Sequence, residues 1–216
     1  MEAFVFTFAL VALAEFGDKS QLLTLLFATR FRLASVLLGV GLGVVILQTA
    51  AVATGASFGA ILPDRLVGII SGALFIVFGV LSLRPRKEQA AEVGEAAGSA
   101  LMRFGPTIGI AVAFVLSEFG DKTQLTTLFI ASDPQAALGA LSFLGMSFEA
   151  GPLSPADILL PVWVGSIAGL LAVNLLALVV GRTMGKRLPV RLVSWIAGIL
   201  FLSVGAYLLL SAVFAG

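Results

Sequence analysis

Six apolar stretches, near residues 4–29, 33–60, 66–83, 104–131, 158–181 and 190–214, dominate this sequence. Each approaches or exceeds the roughly 20 residues that a helix needs to cross the hydrocarbon of a bilayer. In lipid every backbone polar group must find its partner within the protein, which leaves only helices and closed barrels. Barrel strands read as alternating segments of roughly 10 residues, whereas these runs are long and unbroken. The expected architecture is an all-α integral membrane protein with six transmembrane helices. A hydrophobic content of 59% with only 12% charged residues agrees, since soluble chains carry about 25% charge. The first stretch has Glu2 in place of a basic leader and reads as a membrane helix that is retained.

The basic residues give an orientation. Arg30, Arg32, Arg84, Arg86, Lys87, Arg103, Arg182, Lys186, Arg187 and Arg191 gather on one side, against Arg65 alone on the other. The positive-inside bias makes the first set cytoplasmic and puts both termini outside the cytoplasm. A net charge of +1 and the absence of any further basic patch give no reason to expect nucleic acid as a partner.

Within this apolar background one charged segment is written twice. "EFGDKSQLLTL" starts at Glu15, and "EFGDKTQLTTL" starts at Glu118, an offset of 103. "LPDRLVGIISGALFIVFGVLSL" from Leu62 likewise matches "LPVRLVSWIAGILFLSVGAYLL" from Leu188 at an offset of 126. The second offset also carries Gly39 onto Gly165, Gly43 onto Gly169, Gln48 onto Asn174 and Gly55 onto Gly181. The chain therefore reads as a duplication: a first three-helix repeat at 1–83, a cytoplasmic linker at 84–103, and a second three-helix repeat at 104–216. The change of offset places an external insertion at about 132–157, expected to form a loop with one short interfacial helix and able to serve as a lid. Three spans per unit is an odd number, so the second copy enters the membrane from the opposite side. Such inverted repeats are a signature of secondary transporters, whose sites lie near mid-bilayer where the two halves meet.

Both motifs fall near the middle of their spans, where ionisable side chains are costly and face one another or a water-filled cavity. On a continuous helix Glu15, Asp18 and Lys19 share one face, with Ser20 or Thr123 pointing elsewhere and Gln21 or Gln124 one turn beyond. Gly17 and Gly120 weaken the helix and let an ion or a neighbouring helix approach the backbone. Four carboxylates with Lys19 and Lys122 sum to a charge of −2, which one divalent cation or two protons would balance. The chain has no Cys and no His. Any metal must then be held by oxygen, which suits Mn²⁺, Ca²⁺ and Mg²⁺, and a coupled proton must ride on the same carboxylates. Glu15, Asp18, Glu118 and Asp121 are the candidate metal ligands. Lys19, Ser20, Gln21, Lys122, Thr123, Gln124, Gly17 and Gly120 support them, and Gln48 and Asn174 are weaker candidates, equally suited to interhelical hydrogen bonding. No cofactor is expected beyond the transported cation and protons.

A pattern Glu-x-Gly-Asp-(Lys/Arg)-(Thr/Ser) in each half of a six-span protein resembles the Golgi-type manganese/calcium:proton exchanger family, the second cation/calcium antiporter family. Glu15, Gly17, Asp18, Lys19 and Ser20 fill the first copy; Glu118, Gly120, Asp121, Lys122 and Thr123 fill the second. The resemblance implies a secondary active transporter, not an enzyme, that exports Mn²⁺, or next Ca²⁺, from the cytoplasm in exchange for protons across the inner membrane. An exporter of an organic cation such as a basic amino acid is the alternative. An intramembrane aspartyl protease is excluded because Glu15 and Glu118 stand where the first Gly of its Gly-x-Gly-Asp signature belongs.

Overall fold

A computed structural model of the chain describes residues 2–83, 93–143, 155–184 and 190–214. Nine α-helices and no strands occur among the described residues: α1 Glu2–Glu15, α2 Lys19–Arg30, α3 Leu33–Ile61, α4 Asp64–Leu83, α5 Val93–Glu118, α6 Lys122–Ser132, α7 Pro134–Phe143, α8 Pro155–Met184 and α9 Val190–Phe214. Within α3, α4, α8 and α9 the apolar run is long enough to cross a bilayer. Large apolar side chains such as Leu38, Ile61, Leu192, Leu210 and Phe214 lie on the outside, as a lipid-facing surface requires. The protein is an all-helical, multi-pass membrane protein.

The two segments that carry the charged motif differ from the expected continuous helices. Each is cut in two, between α1 and α2 and between α5 and α6. The cause is local: Gly17 (φ 76°) and Gly120 (φ 74°) take left-handed backbone that no other residue type adopts cheaply. The two breaks are built alike, the Asp18 N–H donating to the Glu15 carbonyl at 3.0 Å and the Asp121 N–H to the Glu118 carbonyl at 3.1 Å.

Helix α5 is itself two pieces that meet at Gly105 (φ 78°, ψ 171°), with Pro106 opening the second. The expected linker is thus helical from Val93 onward, and 84–92 lie outside the described residues, as do Lys186 and Arg187. Within the expected insertion, 144–154 lie outside the described residues, and the short helix is α7. Ala137, Leu138 and Ala140 of this helix are buried in the main core, and Phe143 packs on Tyr207 of α9 with ring centroids 5.5 Å apart.

Small residues bring the helices together in matched pairs. A Cβ on Gly39 would sit 2.7 Å from the Thr107 carbonyl, and one on Gly165 would sit 2.6 Å from the Phe4 carbonyl. The glycines are 126 apart and their partners 103 apart, the same two offsets that relate the repeated segments. Gly43 on Ala111 and Gly169 on Phe8 repeat the correspondence one turn later. Helices α4 and α9 touch through Gly72 against Gly205 and Gly79 against Gly198, which makes them antiparallel. Close approach through glycine is how membrane helices gain packing when lipid offers no hydrophobic drive.

Candidate metal centre

The two breaks face each other inside the bundle. One carboxylate oxygen each from Glu15, Glu118 and Asp121 lies within 4.8 Å of the others. Glu15 is fully buried and Glu118 nearly so, at 3% exposure, while Asp121 is half-buried. Glu15 and Glu118 end their half-helices, and Asp121 stands in the N-cap position of α6 with extended backbone (φ −72°, ψ 164°). The N–H groups of a first helical turn favour negative charge, so an acid is well placed there.

Asp18 is the fourth candidate ligand, and the structure gives it a different partner. Its Oδ2 lies 2.8 Å from Lys122 Nζ in the other motif. Glu15 and Asp18 would share one face only on a continuous helix, and the left-handed backbone of Gly17 breaks it between them. The side chain of Lys19 lies outside the described residues.

The break also reverses the expected direction of the hydroxyls. Ser20 and Thr123, read from sequence as pointing away from the acids, both turn onto Glu15. Ser20 Oγ donates to Glu15 Oε1, and Thr123 Oγ1 donates to Glu15 Oε2 at 2.7 Å. Once the helix restarts at Lys19, Ser20 looks back across its own gap, whereas Thr123 reaches Glu15 from the other motif.

The glutamines treat their breaks unequally. Gln21 Nε2 donates to the Glu15 carbonyl at 2.9 Å. Gln124 Oε1 accepts instead from the Gly120 N–H at 2.6 Å. Asn174 is held by two bonds, its Oδ1 accepting from Thr24 Oγ1 at 2.8 Å and its Nδ2 donating to the Leu170 carbonyl at 2.9 Å. Gln48 is 1% exposed, and its Oε1 accepts no hydrogen bond among the described residues.

Thr24 and Ser117 escaped the sequence reading. Ser117 Oγ reaches Glu118 Oε1 at 3.3 Å. Thr24 had a detectable signal, since the repeat places Thr127 at its equivalent position. Single hydroxyls beside a charged motif carry no such signal. The oxygens brought together here are those of carboxylates and of the hydroxyls that donate to them, a set that fits hard divalent cations.

A sequence profile described as "Divalent cation/proton antiporter GDT1" matches residues 3–90 and 153–215, so the first motif lies inside the match and the second falls between its two segments. The chain is 29% identical over 206 residues to a "Putative manganese exporter" of Vibrio cholerae, with 94% of this chain and 88% of the relative covered. It is 28% identical over 181 residues to "GDT1-like protein sll0615" of Synechocystis, covering 71% of this chain and 87% of the relative. "GDT1-like protein 5" of Oryza sativa is 37% identical over 79 residues, covering 37% of this chain and 34% of the relative. No solved structure matches the chain.

Proposed function

Since this chain belongs to the divalent cation/proton antiporter GDT1 family, and is therefore a transporter and not an enzyme, we propose that it exports Mn²⁺ from the cytoplasm in exchange for protons, with Ca²⁺ as the next candidate ion. The observation that carries this reading is the triangle of Glu15, Glu118 and Asp121 oxygens within 4.8 Å. Like charges this close repel strongly away from water unless a cation lies among them. Departure of the ion therefore draws protons onto the same oxygens, which couples the two fluxes through one site. Asp18 is the fourth ligand of the proposed set, held by Lys122 in this arrangement.

The preference for Mn²⁺ draws on the relative named for manganese export and on the lack of Cys and His. We read the six spans as two inverted three-helix repeats, with α1 and α2 together, α3 and α4 answering to α5 and α6 together, α8 and α9. The antiparallel pairing of α4 with α9 and the matched offsets at Gly39 and Gly165 support this. The membrane is the cell's inner membrane, and both termini face away from the cytoplasm.

The test is reconstitution into vesicles enclosing a pH-sensitive dye. Under an imposed proton gradient, Mn²⁺ should drive proton movement, and Glu15→Gln or Asp121→Asn should abolish it. Proton flux with lysine and none with any metal would favour an organic cation. Metal-driven flux that survives both substitutions would remove the proposed site.

A further inference from the structure

Gln48 is the one buried carboxamide whose oxygen, among the described residues, accepts no hydrogen bond. It is nine-tenths buried and lies in the middle of α3. Leaving a carboxamide oxygen desolvated and unsatisfied costs free energy. Its repeat equivalent, Asn174, shows what a purely structural carboxamide looks like here, with Oδ1 engaged by Thr24 and Nδ2 by the Leu170 carbonyl. Thr127, the repeat equivalent of Thr24, does not return the favour to Gln48, because its hydroxyl donates to the Thr123 carbonyl at 3.2 Å.

The glycine contacts fix the level at which Gln48 sits. Helix α3 meets α5 at Gly43, against Ala111 and Phe114, and meets α6 at Gly55, against Leu128. The order of the contacts makes α3 parallel to both. Val44, Gln48, Ala51 and Gly55 form one buried stripe with helical spacing, and Gly55 in that stripe touches α6 directly. Gln48 lies about 7.5 Å along the axis beyond Gly43 and about 10.5 Å before Gly55 at 1.5 Å per residue. Stepping the same distances along α5 from its contact, and back along α6 from Leu128, arrives from both sides at the break that holds Glu118 and Asp121.

We propose that Gln48 is a further ligand-bearing residue of the ion site, its Oε1 giving a neutral oxygen to the divalent cation held by Glu15, Glu118 and Asp121. This rests on the divalent-cation reading of the site. A neutral oxygen replaces a water of the ion's shell without changing the site's charge. That favours ions that shed water readily, Mn²⁺ and Ca²⁺, over Mg²⁺, which dehydrates reluctantly. It also removes the burden of an unsatisfied oxygen when the ion is present.

The experiment compares thermal melting of purified wild-type protein, Gln48→Met, Gln48→Glu and Asn174→Leu, without metal and with Mn²⁺ or Mg²⁺, alongside Mn²⁺ titration. Gln48→Met should melt at or above the wild-type temperature without metal, because it removes an unsatisfied group. Its Mn²⁺-induced rise in melting temperature should shrink, with affinity for Mn²⁺ weakened about tenfold and affinity for Mg²⁺ affected less. Gln48→Glu, which keeps the oxygen, should restore the Mn²⁺ response. Asn174→Leu should melt lower without metal, since it loses two hydrogen bonds. A Mn²⁺-induced rise in Gln48→Met equal to that of wild type overturns the assignment of Gln48 while leaving the site intact. No rise with any divalent ion in the wild type would overturn the parent reading, and this one with it.

Discussion

Lys122 Nζ lies 2.8 Å from Asp18 Oδ2, joining the second copy of the charged motif to the first through a pair whose side chains are only 12% and 8% exposed. The ammonium thus neutralises one of the four motif carboxylates while the other three converge. A fixed positive charge beside a cation site weakens its hold on the ion and eases release. Replacing Lys122 by Met should make the site more negative and bind Mn²⁺ on the order of tenfold more tightly, given the several kcal/mol between charges at contact distance near a protein surface. Turnover should fall because the ion leaves more slowly. Titration calorimetry and vesicle flux read the two effects, and unchanged values for both would make Lys122 a packing partner only.

Gly120 is open to substitution in space but not in backbone. A Cβ there would meet nothing within 4 Å, yet φ is +74°. Gly120→Ala should therefore destabilise by about 1–2 kcal/mol, the cost of left-handed backbone for an L residue. Gly120→Asn should be milder, because Asn visits this region more readily, and Gly120→Val harsher. Thermal melting of the three variants gives the order, and equal melting temperatures would show that the break does not depend on glycine.

Gly55 and Gly41 share helix α3 and should behave oppositely. A Cβ on Gly55 would lie 2.1 Å from the Leu128 carbonyl, so Gly55→Ala must push α3 away from α6, at about 1–3 kcal/mol for overpacking. A Cβ on Gly41 meets nothing within 4 Å, and Gly41→Ala should leave stability unchanged or raise it by up to about 1 kcal/mol through helix propensity. Equal losses in the two variants would contradict the interface described here.

Asp133, at the junction of α6 and α7 and outside the spans, caps α7 by accepting the Ala136 N–H on Oδ1 at 2.9 Å. Burial holds its carboxyl above the ordinary value, with the charge of Asp64 adding to the effect. A raised acid favours folding most when protonated. Its contribution is therefore largest below the unfolded value and declines as pH rises through the interval up to the folded one. Asp133→Asn keeps the capping oxygen and removes the charge, so it should flatten this part of the stability profile and melt higher than wild type at neutral pH. Asp133→Ala loses the cap and should cost about 1 kcal/mol. A pH profile for Asp133→Asn that superimposes on wild type would exclude this source of pH dependence.

The membrane class, the repeat and the chemical type of the site follow from sequence because each rests on residue type and spacing. Runs of apolar residues near 20 long have one stable solution in lipid. A segment repeated at a fixed offset declares its own equivalence, and a chain with neither Cys nor His offers a metal only oxygen. Sequence also placed Gly17 and Gly120 where the helices weaken, but not the complete break, since a glycine within a membrane helix is more often a packing position, as Gly39 and Gly72 are here. Everything downstream of the break needed the tertiary structure. The positive φ of the two glycines turned Ser20 and Thr123 onto Glu15, set Asp18 against Lys122, and left Glu15, Glu118 and Asp121 as the triangle. Likewise, sequence paired Gln48 with Asn174 as equals, and only the packing separated a carboxamide with its hydrogen bonds made from one whose oxygen is buried without them. Residue type and periodicity fix which groups a chain can bring to a site. Which of them meet depends on backbone turns at single residues and on contacts between segments more than 100 positions apart, and no local pattern encodes those.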